Sequence, residues 1–256
     1  MEPMNKLIDR QTNLLRHLTS EPFIFGTDQL GVAAGDPDLR GMDIRRLRLE
    51  AEFSYNKRIK RIRQTFERTA ALLGHGFPAI AREFASSHPP ETYERYPDAR
   101  CFFDHFIQHW AGKPPAPAWA ADTAGVELAL SRARTFRPAA METEAMAARP
   151  TQSSPPCYRT HPCAVLVRCE HDVRPLFEPA RSGQPVTQRR VCLAVLASRG
   201  RRRPTVMELA PEAFGLLELS TEWSQPGPDR SALVGLLAAR GLVLVCGNDA
   251  GDGNHG

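Results

Sequence analysis

The sequence predicts an α+β protein: a helical N-terminal domain over 1–112, a proline-rich linker or crossing segment over 113–162, and a small winged-helix-like α+β domain over 163–246. Three observations predict this division. Apolar residues recur at steps of three and four from Ile44 to Leu73, the spacing of one helical face. The 22 prolines of the 256-residue chain cluster above all between Lys113 and Pro162, where bulky apolar residues are scarce. Beyond Pro162 the period shortens, and β-rich runs alternate with charged or turn-like stretches.

In the N-terminal part, Leu7, Ile8, Leu14, Leu15 and Leu18 fall on one broad face and predict a helix from Asn5 to Leu18. From Glu21 to Gly41, glycine, proline and aspartate predict a long ordered loop that packs Phe23, Phe25 and Leu30. Asp43 is a good N-cap for the next element, a long helix carrying Ile44, Leu47, Ala51, Tyr55, Ile59, Ile62, Phe66, Ala70 and Leu73. Its other faces hold Arg45, Arg46, Arg48, Lys57, Arg58, Lys60, Arg61 and Arg63, which read as a basic surface. Gly74 and Gly76 end it, and Pro78 suits the first turn of a following helix through Phe84. A further helix over Asp98 to Trp110 gathers Phe102, Phe103, Phe106, Ile107 and Trp110.

Most of 113–162 reads as linker, with one helix around Ala124 to Arg134. Three strands are predicted over Ala164 to Val167, Val191 to Ala197 and Val206 to Leu209, then helices over Pro211 to Leu219 and Ser231 to Arg240. Gly241 stops the second helix before the apolar run Leu242 to Val245, and the tail 247–256 has nothing to bury and reads as disordered.

Composition excludes little by itself. A formal charge of +4 with 33 basic and 29 acidic residues interspersed is too balanced to imply nucleic acid. No run approaches a membrane span, the N-terminus lacks the pattern of a secretory signal, and a cytoplasmic location is expected. Six cysteines, none in a CxxC pair, are expected as reduced and mostly buried thiols.

Candidate chemistry is sparse. His105 and His109 stand four apart on a predicted helix, a spacing that can converge on a metal, but no glutamate follows His105 and no third ligand is evident. Cys157, His161, Cys163, Cys169 and His171 gather soft ligands at spacings that match no zinc knuckle. GxSxG and P-loop patterns are missing, so neither catalytic nor metal-ligating residues are assigned. The basic helix, together with Arg199, Arg201, Arg202 and Arg203 at a hairpin tip, leaves a nucleic-acid-binding regulator as the alternative. An uncovered edge strand offers a different use, because it can accept a peptide as an added strand, and Val206 to Leu209 is the candidate edge.

Two stretches then carry a resemblance. TFERTAALLGHGFPAIAREFASSHPPETYERYPDARCFFDHFIQHW (65–110) resembles the N-terminal domain of HvfC/BufC-like partner proteins of multinuclear non-haem iron oxidases, with its "FP" turn, short helix and "hPP". HPCAVLVRCEHDVRPLFEP, RRVCLAVLASRGRRRPTVMELAPEAFGLLEL and LVGLLAARGLV follow the C-terminal order of that family, and LRLEAEFSYNKRIKRI looks like its methanobactin-cassette branch. The resemblance implies an accessory, non-catalytic subunit of a heterodimeric oxidase, with a peptide-recognition-element-like C-terminal domain. The iron sits in the partner and no cofactor in this chain. In that branch the pair oxidises cysteines of a ribosomal precursor peptide to an oxazolone with a neighbouring thioamide, giving a copper chelator. On that implication the leader would lie along Thr205, Val206, Met207, Glu208 and Leu209, with Leu233, Leu236 and Leu237 lining the groove.

Overall fold

The computed structural model describes residues 14, 24, 25, 41–90, 94–113, 117–148, 156–197 and 203–246. The expected first helix apart from Leu14, most of the loop after it, the hairpin tip over 198–202 and the tail lie outside these. The architecture is mixed α+β, with helices in the N-terminal part and β-sheet in the C-terminal part. It divides into two compact units, Met1–Ala124 and Gly125–Gly256.

The first unit is built on α1 (Ile44–Thr65), α2 (Glu67–Leu73), α3 (Phe77–Ser87) and α4 (Arg95–His109). Asp43 caps α1 as expected, its carboxylate accepting the Arg46 amide at 3.1 Å. The stripe from Ile44 to Leu73 is not one helix, however: it breaks at Phe66, whose backbone leaves helical geometry at φ −110° and ψ 50°. Burial accounts for the break. Phe66 is fully enclosed, its ring centroid lies 4.9 Å from that of Phe102, and the Thr65 hydroxyl bonds back to the Arg61 carbonyl instead of supporting the next turn. Phe102 also meets Phe77 at 5.7 Å and Phe84 at 5.4 Å, so one ring on α4 gathers aromatic side chains from the α1–α2 junction and from α3. Pro78 sits in the first turn of α3, as its fixed φ favours.

The interval 113–162 carries the helix expected around Ala124 to Arg134, α5 (Ala120–Thr135), but also α6 (Pro138–Ala147) and β1 (Cys157–Thr160), so less of it is linker than expected. Alanine hid α6: it gives little hydrophobic contrast, yet Ala145 is buried, and alanine is the strongest helix former.

The sheet of the second unit has the antiparallel order β2-β3-β4, with β2 at Ala164–Cys169, β3 at Val191–Leu196 and β4 at Thr205–Leu209. Its register places Leu166, Ala194 and Met207 in one cross-strand row and Val165, Val195 and Val206 in the next. Successive side chains point to opposite faces, so the two rows serve two cores. The first row packs with Phe214 and Leu217 of α7 (Pro211–Leu219) and Val234 and Leu237 of α8 (Ser231–Ala239). The second packs with Ala129 and Ala133 of α5 and Met141 of α6. Gly241 ends α8 at φ 72°, a left-handed position where glycine carries no Cβ penalty, and returns the chain to β5 (Val243–Cys246).

Strands β1 and β5 form a separate antiparallel pair in which Cys157 faces Cys246. These two cysteines are joined in a disulfide with Cα atoms 5.3 Å apart, which corrects the expectation of six reduced thiols. The pairing was hidden because 89 residues separate the two and only the strand register brings them together. No helix among the described residues is long and apolar enough to cross a membrane.

Candidate functional site

Strand β4 is the outer member of its sheet, hydrogen-bonded to β3 on one side with no described strand on the other. Alternation decides what each of its residues offers. Leu209 is 4 % exposed and Leu237 of α8 only 1 %, so both are core residues whose side chains are already covered. Thr205, Val206 and Met207 are half-buried, as is Leu233, while Leu236 stands 50 % exposed one residue before Leu237. On the sheet face that packs with α7 and α8, Met207 and Leu233 are the half-buried apolar groups beside buried Leu209 and Leu237, whereas Val206 faces α5 and α6 and Leu236 stands outside the buried cluster.

Glu208 points its carboxylate into an ion-pair network that sequence reading missed. Its Oε1 accepts from Arg189 at 2.7 Å and its Oε2 pairs with Arg174 at 2.5 Å. Arg174 is buried and also pairs with buried Asp172 at 2.5 Å, and Arg189 reaches the same Asp172 carboxylate at 2.6 Å. Two carboxylates thus share two guanidinium groups, the arrangement that lets buried charge be tolerated. The Arg174 hydrogen bonds, reinforced by Arg189, hold Asp172 far below the usual carboxylate range against the opposing effect of burial. Glu208 is lowered chiefly by Arg189. This network braces β4 from the loops after β2 and before β3. It left no sequence signal because Asp172, Arg174, Arg189 and Glu208 are scattered over three segments without periodicity.

The histidine pair on α4 resolves into packing. His105 is 5 % exposed, its ring lies 4.9 Å from that of His109 and 5.1 Å from that of His88, and the nearest carboxylate oxygen, on Glu83, is 3.8 Å away. Neither ring nitrogen has a hydrogen-bond partner, and burial, followed by the neighbouring histidines, pushes its pKa down. Among the described residues no group of three or more histidines, cysteines and carboxylates is placed to hold a metal ion.

The Cys157–His171 cluster likewise disperses into structural roles. Cys157 is consumed by its disulfide, and Cys163 and Cys169 are buried. His161 Nδ1 accepts the Cys163 amide at 3.1 Å, which leaves the ring proton on Nε2, 3.2 Å from Glu142 Oε1. Burial, with the Glu142 charge behind it, pushes the Cys163 thiol up to about 11, the opposite of an activated nucleophile.

The basic surface of α1 is smaller than the sequence suggested. Arg58 is turned inward, bonding Asp98 at 2.6 Å and the His88 carbonyl at 2.6 Å while stacking over Phe84, and Arg48 bonds the Ile24 carbonyl at 2.6 Å. The chain matches no protein-family model, and no curated protein matches it.

Proposed function

We propose that this chain is the accessory, non-catalytic subunit of a heterodimeric iron-dependent oxidase, and that its C-terminal unit binds the leader of a ribosomal precursor peptide along β4. The observation that carries the reading is an outer strand braced by its own ion pairs, whose half-buried Met207 shares a cluster with half-buried Leu233 of α8, the helix on which Leu236 stands exposed. A peptide added as a further strand gains main-chain hydrogen bonds, and apolar leader residues at alternate positions gain the two leucines. The three-stranded antiparallel sheet backed by α7 and α8 accommodates a winged-helix-like, peptide-recognition-element-like domain.

The resemblance of 65–110 and of the C-terminal runs to HvfC/BufC-like proteins, and within them to the methanobactin-cassette branch, supplies the partner. The multinuclear non-haem iron belongs to that partner, which oxidises the precursor's cysteines toward oxazolone and thioamide in making a copper chelator. This chain contributes proximity: a tethered cysteine stays near the iron at an effective concentration set by the leader. Glu208 serves through its backbone, its carboxylate being occupied.

A labelled precursor peptide titrated against the full chain tests this by fluorescence anisotropy. Leu236→Asp changes an exposed position and is expected to weaken binding about tenfold, roughly 1.4 kcal/mol, with an unchanged circular dichroism spectrum. Equal affinity of the variant and the parent chain contradicts the assignment of this strand and helix.

A further inference from the structure

The inner face of α1 is fully committed to the fold: Ala51, Tyr55 and Ile62 are buried, with Ile44, Leu47 and Ile59 packed beside them. The opposite face is anomalous for a surface helix. Leu49 and Phe53, one turn apart, are 66 % and 67 % exposed, so two large apolar side chains stand together in water. Around them Arg45, Arg46, Lys57, Lys60, Arg61 and Arg63 are all exposed, and the described contacts give none of these six an acidic partner. Arg48 and Arg58 show what this helix does with cations the fold needs, since it turns them inward onto backbone carbonyls and Asp98.

An apolar centre within a mainly cationic rim, interrupted by Glu50 and Glu52, is the anatomy of a protein–protein contact, where desolvated aromatic and aliphatic groups supply affinity and the rim supplies steering. A bilayer is less well served. Interfacial helices bury a continuous apolar face, and here that face is already spent on the core. Nucleic acid is less well served, because a phosphate backbone offers nothing to cover the two apolar side chains at the centre of the face.

We propose that the outer face of α1, centred on Leu49 and Phe53, is the docking surface for a partner protein that presents an apolar recess edged by carboxylates. Resting on the function proposed above, that partner is the oxidase subunit. The helical unit then holds the enzyme while the C-terminal unit holds the peptide.

The experiment measures binding of the full chain to the purified oxidase subunit by biolayer interferometry, beside sedimentation with vesicles containing phosphatidylserine. Leu49→Ser/Phe53→Ser removes exposed groups only, and circular dichroism checks that the fold persists. It is expected to weaken oxidase binding about 30-fold, in line with the loss of two modest hot spots, while leaving precursor-peptide affinity unchanged. Lys57→Glu/Lys60→Glu/Arg63→Glu is expected to slow association about tenfold at low salt, with the difference shrinking as salt rises. Parental affinity in both variants overturns the docking surface and leaves the functional reading standing. Failure of the parent chain to bind the oxidase overturns both. Vesicle binding by the parent chain that the double serine variant loses assigns the face to a membrane and overturns the proposal.

Discussion

In the helical unit, His105 is buried with neither ring nitrogen hydrogen-bonded, whereas in the sheet unit buried Asp172 and Arg174 answer each other and are joined by Arg189 and Glu208. The contrast follows from how each unit makes its core. The helical unit relies on rings, with Phe66, Phe77, Phe84, Phe102 and Phe106 all fully enclosed, and a histidine among them is accepted as one more ring. The sheet unit spreads its apolar burial over two faces of a small sheet and supplements it with a disulfide and an ion-pair network. Supplementary bonds of this kind are what a modest core requires.

The largest expected effect comes from the ring cluster. Phe102→Ala should cost about 3–5 kcal/mol, and region-resolved hydrogen exchange should place that loss in α1 to α4 and spare the sheet. Converse behaviour is expected of Cys157→Ala/Cys246→Ala. Loss of the disulfide is expected to cost about 2–4 kcal/mol, visible in urea unfolding and confined to the sheet unit. Equal loosening of both units by either variant would break the comparison.

Asp172→Asn leaves two guanidinium groups with one carboxylate between them, and is expected to cost about 2 kcal/mol. Acid provides a milder probe. His105 is held below its ordinary value, so the unfolded chain takes up that proton first, and the helical unit should lose stability as pH falls below about 6.5. Asp172 is also lowered, but for a carboxylate this means its stabilisation is complete above about pH 4 and is lost only below it. Hydrogen exchange compared at pH 7.5 and 5.5, corrected for intrinsic rates, should therefore show α4 loosening while β3 and β4 do not change. The smallest effect is chemical: iodoacetamide at pH 8 should label exposed Cys101 well before buried Cys163, whose thiol is pushed up to about 11.

Legibility in the sequence followed the strength of periodic contrast. Strands β2 to β4 and helices α7 and α8 were readable because β-branched runs and turn residues alternate sharply there. Helix α5 was legible around Ala124 to Arg134, but α6 was not, since alanine registers as neither apolar stripe nor charged face, although Pro138 ahead of an Ala/Met/Glu-rich run is a usable start signal. The break at Phe66 follows from tertiary packing on Phe102, which no local pattern encodes. At the candidate site, the place of Val206 to Leu209 between the arginine-rich turn and the helix at Pro211 suggests an edge, and β4 is an outer strand among the described residues. That Leu209 and Leu237 lie beneath the surface, and that Glu208 is occupied, depended on register and on loops distant in sequence.

The most direct measurement is hydrogen exchange of the full chain with and without its precursor peptide. Slower exchange confined to the amides of Thr205–Leu209 and the adjoining turn of α8, with β2 at the opposite edge unaffected, is the result expected of a peptide added to β4. Unchanged exchange at β4 in the presence of bound peptide, or protection confined to β2 or to the helical unit, would contradict it.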